Sequence, residues 1–104
     1  MQCIGTLSDI PNGTSRSLQA GQRRLLAVVR AGKLFIYEHH CPHTGDTLDP
    51  MGGSVTSGGG LLLTCQRHGA EFLSDTGQCV AGPCLGDRLQ QVNYTLKDNN
   101  ILID

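Results

Sequence analysis

The chain has 104 residues, of which 16% are charged and 4% aromatic, with no Trp and with 14 Gly, about twice the ordinary glycine share. That length supports one modest core. A balance of 8 Lys+Arg against 9 Asp+Glu, formally −1, leaves no basic face to neutralise nucleic-acid phosphates or an anionic bilayer, and the longest apolar runs, Leu25–Val29 and Leu61–Leu63, are too short to span a membrane.

Residues 1–7 contain neither a basic n-region nor an apolar h-region, so no secretory signal is expected and the chain reads as cytoplasmic. In that reducing setting five Cys, an odd number, read as metal ligands or buried small hydrophobes rather than as a disulfide framework. Cys3 reads as a strand residue. Gly and Pro then punctuate short stretches rich in β-branched and aromatic residues, the pattern of an all-β chain. Residues 25–30 and 33–38 flank Ala31-Gly32, a hairpin signal in which Gly supplies positive φ. His39 and His40 close the second strand.

Residues 40–86 differ in character, holding four of the five Cys, three of the four Pro and ten of the 14 Gly. They read as a loop-dominated unit inserted into a β scaffold, with a flexible stretch at Ser57–Gly60 and at most one helical turn, near Pro50 or Gly86. Asp75-Thr76-Gly77 is a turn in which Asp caps its own backbone. Residues 89–96 alternate imperfectly, 97–100 turn and 101–103 return, a second hairpin. Both chain ends thus belong to one sheet system. The organisation expected is a single domain over 1–104, with base β sheets from about 1–39 and 87–104 and a loop-rich inserted subdomain over about 40–86.

Inside the insert stand Cys41-Pro42-His43 and Cys65-Gln66-Arg67-His68, two Cys/His pairs separated by 21 residues. Structural zinc prefers like pairs such as C-x2-4-C and H-x3-5-H, whereas here each loop is mixed. If each loop gives its Cys to one iron and its His to a neighbouring iron, two loops grip a binuclear cluster from both sides. A zinc-binding interaction module is the remaining metal alternative.

The run CPHTGDTL, followed by TCQRHGAEFLSDTG and AGPCLGDRL, resembles the Rieske-type 2Fe-2S proteins, in particular the small ferredoxins of ring-hydroxylating dioxygenases. The resemblance covers Cys41 to about Leu89 and departs from it in a long spacer, where Gly52-Gly53 or Gly58–Gly60 are the extra residues. It implies an antiparallel β sandwich with an inserted loop-rich cluster-binding subdomain. It also implies one 2Fe-2S cluster, with Cys41 and Cys65 on the inner iron and His43 and His68 on the outer one. Two ferric ions, two sulfides and two thiolates sum to zero charge, so such a cluster accepts an electron more readily than one held by four thiolates. Gly82-Pro83 matches the Pro loop that covers the cluster and keeps it dry.

High-potential relatives carry a Ser after the second His-Gly, a Tyr two residues later and a disulfide between the ligand loops. This chain has Ala70, Phe72, Asp46 and Arg67 at those positions, which predicts fewer hydrogen bonds to sulfur and a potential in the lower part of the Rieske range. Asp46 and Arg67 are either an ion pair in place of the disulfide, worth about 1 kcal/mol and weakened by salt, or two solvated loop charges. Cys79 and Cys84 frame the Pro loop and read as packed thiols in preference to a redox pair or extra ligands.

The resemblance implies a soluble, monomeric electron carrier rather than an enzyme. It would take one electron from a flavin reductase to a terminal oxygenase, docking near His43 and His68, with neither nucleic acid nor membrane as partner. The alternative is a small Rieske-like subunit of a larger reductase, such as assimilatory nitrite reductase.

Overall fold

The computed structural model describes residues 2–39, 55–66, 69–82 and 86–103. Among these the chain forms β1 (Gln2–Thr6), β2 (Ser15–Ala20), β3 (Arg23–Arg30), β4 (Lys33–Glu38), β5 (Thr56–Ser57), β6 (Leu62–Thr64), β7 (Glu71–Leu73), β8 (Cys79–Ala81), β9 (Thr95–Lys97) and β10 (Asn100–Ile103). They assemble into three sheets ordered β2-β3-β4, β1-β10-β9 and β5-β6-β7-β8, with every strand pairing antiparallel. The fold is all-β, as the punctuation of the sequence implies.

The β2-β3-β4 sheet lies in the middle. Leu25–Val29 of β3 are only 0 to 4% exposed, because each face of the sheet has its own core. Leu26, Val28 and Tyr37 pack with Val55, Leu63, Phe72 and Leu89 on the side of the β5–β8 sheet. Leu25, Ala27, Val29, Leu34 and Ile36 pack with Ile10, Ile101 and Ile103 on the side where the chain ends meet. A strand covered on both faces loses the apolar/polar alternation and reads as an unbroken apolar run. Each such side chain contributes about 2 kcal/mol of burial.

Both hairpin turns are present. Ala31 and Gly32 have φ of 52° and 78°, and Asp98 and Asn99 have φ of 51° and 71°, the pair of positive values that a two-residue type I′ turn requires. The strand expected over 89–96 is shorter: β9 covers Thr95–Lys97, and residues 90–92 instead run beside β4. There the Glu38 N–H donates to Gln90 O at 2.8 Å and the Val92 N–H to Ile36 O at 2.8 Å. Leu89 belongs to one core while Val92 and Tyr94 pack against the other, so the segment crosses between layers and cannot keep one face as a single strand.

The short helical turns fall at Leu7–Asp9 and Gly58–Gly60, not at Gly86; Pro50 lies outside the described residues. Ser57–Gly60 is correspondingly not a flexible spacer. Gly60 is buried, its carbonyl accepts from Ser74 Oγ at 2.6 Å, and Leu61 O accepts from the Ser74 N–H at 3.0 Å. Ser74, with no exposed surface, also takes the Tyr37 hydroxyl proton on its own carbonyl at 2.8 Å. This residue therefore ties the 58–61 turn, the 74–77 turn and β4 together. The 74–77 turn forms as expected, with the Gly77 N–H donating to Leu73 O at 2.7 Å, but Asp75 is not its cap. Thr76 Oγ1 accepts the Gln78 N–H at 3.3 Å, while Asp75 pairs with Arg30 at 3.1 Å.

The same cluster sets an alkaline limit on stability. Burial, and then the Asp75 charge, push the Tyr37 phenol far above its ordinary value of 10, with Arg30 acting in the opposite sense. Burial also raises Tyr94. The unfolded chain releases these protons near pH 10 while the folded chain keeps them, so stability is intact below about pH 10 and falls as pH rises beyond it. Denaturant midpoints measured on both sides of that pH should show the fall in the native chain and a smaller one in Tyr37→Phe. Equal slopes in the two proteins would contradict the assignment.

Candidate metal centre

Of the four residues expected to hold metal, Cys65 is described, whereas Cys41, His43 and His68 lie outside the described residues, as do Pro83, Asp46 and Arg67. The expected Asp46–Arg67 pair therefore has no structural reading. Cys65 sits immediately after β6, and β7 begins at Glu71, so the second Cys/His pair occupies the turn that joins two hydrogen-bonded strands.

That turn is closed by its own backbone. The Cys65 N–H donates to Ala70 O at 2.8 Å, and the Gly69 N–H donates to Cys65 O at 3.0 Å. Cys65 is 1% exposed and is a free cysteine, packed in the same core as Leu63, Ala70 and Phe72. A thiol held out of water on a rigid turn suits metal ligation, since thiolate ligation requires a deprotonated sulfur in a dry, preorganised shell.

Ala70 and Phe72, expected to offer no hydroxyl to a cluster, are both fully buried. Gly82, the described half of the expected Pro loop, lies directly against the Cys65–Ala70 turn: a Cβ built on it would stand 2.8 Å from Ala70 Cα and 3.3 Å from Ala70 N. Its φ of 93° is in the region that favours glycine. Backbone-to-backbone contact at this point brings the 82 segment as close to the Cys65–Ala70 turn as the chain allows. The cradle fits a thiolate-bound group covered from one side.

His39, weighed in the sequence as a strand-end residue, is that: it follows β4, is 2% exposed, has Nδ1 3.2 Å from Ser17 Oγ, and donates its backbone N–H to Arg24 O at 2.9 Å. His40 lies outside the described residues. Cys3 lies exposed on β1. The expectation for Cys79 needs correction. It is buried, at 3% exposure, but it is disulfide-bonded rather than a packed thiol, and Cys84 lies outside the described residues. The sequence gives no separate signal for this bond beyond the presence of a second Cys nearby. Among the described residues no helix is long and apolar enough to cross a membrane.

Comparison with known proteins agrees with this geometry. The fold is that of a ferredoxin from Sphingomonas yanoikuyae B1, with a TM-score of 0.81, 21% identity, and coverage of 99% of this chain and 96% of that one. It is also that of the ferredoxin of carbazole 1,9a-dioxygenase from Nocardioides aromaticivorans IC177, with a TM-score of 0.80, 20% identity, and coverage of 98% and 94%. The cytochrome b6-f complex iron-sulfur subunit of Chlorobaculum tepidum is 26% identical over 100 residues, which are 96% of this chain and 51% of that protein. The chain thus spans about half the length of that curated relative. The profile of the Rieske [2Fe-2S] domain matches residues 1–95, and the chain belongs to that family of electron-transfer domains, which carry one [2Fe-2S] cluster.

Proposed function

We propose that this chain is an electron carrier rather than an enzyme, passing one electron at a time from a flavin-containing reductase to a terminal oxygenase. Cys41 and Cys65 would hold one iron of its cluster, and His43 and His68 the other. When bound, the cluster supplies the one-electron redox chemistry. The residues of the chain hold it, keep water away and present the histidine side to partners.

The observation that carries this reading is Cys65, a buried free thiol on a turn locked by the Cys65–Ala70 hydrogen bond. The oxygenase partner is supported by fold similarity to a ferredoxin that serves carbazole 1,9a-dioxygenase. A small, brief docking interface around His43 and His68 suits a carrier that must release each partner. The cluster-binding segment, about 40–86, would act as the part of the domain that both partners approach.

Dithionite-reduced protein should give a rhombic EPR signal with the lowered average g of mixed nitrogen and sulfur ligation. A colourless protein holding stoichiometric zinc would overturn the proposal. Because Ala70 and Phe72 are buried and bring no hydroxyl, the midpoint is expected near the lower end of the Rieske range, at about −150 mV. Ala70→Ser, which adds a donor on the ligand turn, should raise it. A native midpoint well above zero would contradict this account of the cluster surroundings.

A further inference from the structure

The tip of the β3–β4 hairpin sets two like charges face to face. Arg30 and Lys33 are the pair that closes the Ala31-Gly32 turn, and like charges directly opposite each other on one sheet face cost stability. The fold nevertheless holds the pair in place. Asn12 Oδ1 accepts the Gly32 N–H at 3.0 Å, and the Arg30 guanidinium meets Asp75 Oδ2 of the 74–77 turn at 3.1 Å. The Lys33 ammonium lies over Phe35, 5.4 Å from the ring centroid, a contact that orients it without cancelling its charge. Arg30, Ala31, Lys33, Phe35 and Asp75 line one open cleft of about 490 Å³. Asp75 sets one negative charge against two positive ones, and it engages only Nη1 of a guanidinium rich in donors. Among the described residues of the cleft, one positive charge is left over.

We propose that this cleft binds an acidic side chain of a partner polypeptide, its carboxylate bridging Arg30 and Lys33. Charge and shape both select that occupant. A carboxylate between two cations on neighbouring strands relieves their repulsion and takes the donors that Asp75 leaves free. The cleft is open and carries the apolar surface of Ala31 and Phe35 beside its charges, which suits a side chain that arrives with polypeptide on either side of it. A small anion alone is better held in an enclosed pocket. Because Asn12 and Asp75 fix the hairpin tip beforehand, binding has little more than the Lys33 side chain to order. The site is also remote from the Cys65–Ala70 turn. From Ala70 to Ser74 the chain runs along β7 for about 13 Å, at about 3.3 Å per residue, and Asp75 follows. Along β4, Lys33 and His39 stand about 20 Å apart. A side chain seated in the cleft therefore does not touch the Cys65–Ala70 turn. Binding there does not depend on a cluster; its use as a tether for a redox partner rests on the electron-carrier reading.

The test is an NMR titration of full-length, isotope-labelled holoprotein with a hexaglutamate peptide. The backbone amides from Arg30 to Phe35 and that of Asp75 should shift together and saturate, and binding should vanish at about 1 M salt, where charges are screened within about 3 Å. Lys33→Gln should weaken binding about tenfold, the worth of one charge-assisted hydrogen bond, and Lys33→Glu should abolish it. Asp75→Asn should tighten binding, because the competing carboxylate is gone, whereas a merely structural role for Asp75 would not give that sign. Lys97→Gln, at an exposed lysine of β9 in another sheet, should change nothing. Equal weakening by Lys33→Gln and Lys97→Gln would reduce the effect to overall charge and overturn the site, as would unshifted amides at the hairpin tip. Inorganic phosphate that shifts the same amides and binds at least as tightly as the peptide would replace the polypeptide by a free oxyanion. Self-association that Lys33→Glu removes would make a second copy of this chain the occupant, against the proposal. Saturable peptide binding by a colourless protein would sink the electron-carrier reading, and the tether with it, while leaving the acidic-side-chain site in place.

Discussion

Cys65→Ala is expected to abolish the visible absorption and the EPR signal of the reduced protein completely, with iron falling to background, while the apo-chain keeps its β-sheet circular dichroism. The two halves of this expectation have separate causes. The thiol is the only group that Cys65 offers to a metal, and alanine leaves no donor atom in its place; a cluster lacking one of two ligands on the same iron is not retained. The fold is insulated because the turn is held by main-chain bonds, Cys65 N–H to Ala70 O and Gly69 N–H to Cys65 O, which alanine preserves. Removing the sulfur from a site with 1% exposure costs packing on the order of 1 kcal/mol. The melting temperature should fall by more than that cavity explains, since binding to the folded state alone adds stability that the variant forfeits. Cys3→Ala is the matched control. Cys3 lies exposed on β1, in the sheet formed by the chain ends, and its loss should leave iron content and EPR unchanged. Full iron occupancy in Cys65→Ala would remove Cys65 from the ligand set.

The parts of this molecule that were legible in the sequence are those decided within a few residues. The Ala31-Gly32 turn and the strands beside it follow from local chemistry, as does the 74–77 turn. What escaped depends on partners distant in the chain. Leu25–Val29 reads as a strand, but only the third sheet reveals that it is the central one, covered from both sides. Gly58–Gly60 reads as a spacer because three glycines have no side chains to announce packing, yet Gly60 O is the acceptor for a buried serine 14 residues away. The strands of the insert are two or three residues long, too short for any alternation to register. Asp75 looked like a self-contained cap, and the competing partner was Arg30, brought beside it by the β3–β4 hairpin. The contact of Gly82 with Ala70 has no signal in the sequence, because it joins residues 12 apart through their backbones.

That contact gives Gly82→Ala a large expected cost in stability. Two costs add. At φ of 93° any L side chain is strained, by about 1–2 kcal/mol. The new Cβ would also meet Ala70 Cα at 2.8 Å and Ala70 N at 3.3 Å, and these are backbone atoms of a turn fastened by the Cys65–Ala70 hydrogen bond. They cannot swing aside as a flexible side chain would, so the overpacking cost is about 1–3 kcal/mol. The sum, about 3 kcal/mol, corresponds to a fall in melting temperature of roughly 15 °C for a domain of this size. Gly86→Ala separates the two contributions, because Gly86 has φ of 96° but nothing within 4 Å of the new Cβ. It should bear only the conformational cost, about half of the total. The difference between the variants measures how firmly the 82 segment presses on the Cys65–Ala70 turn. Displacement of that turn shifts Cys65 with it, so Gly82→Ala should also lose iron to a chelator faster than Gly86→Ala at a temperature where both are folded. Equal melting temperatures for the two variants would mean that Ala70 yields freely, and that the 82 segment and the Cys65–Ala70 turn are not mechanically joined.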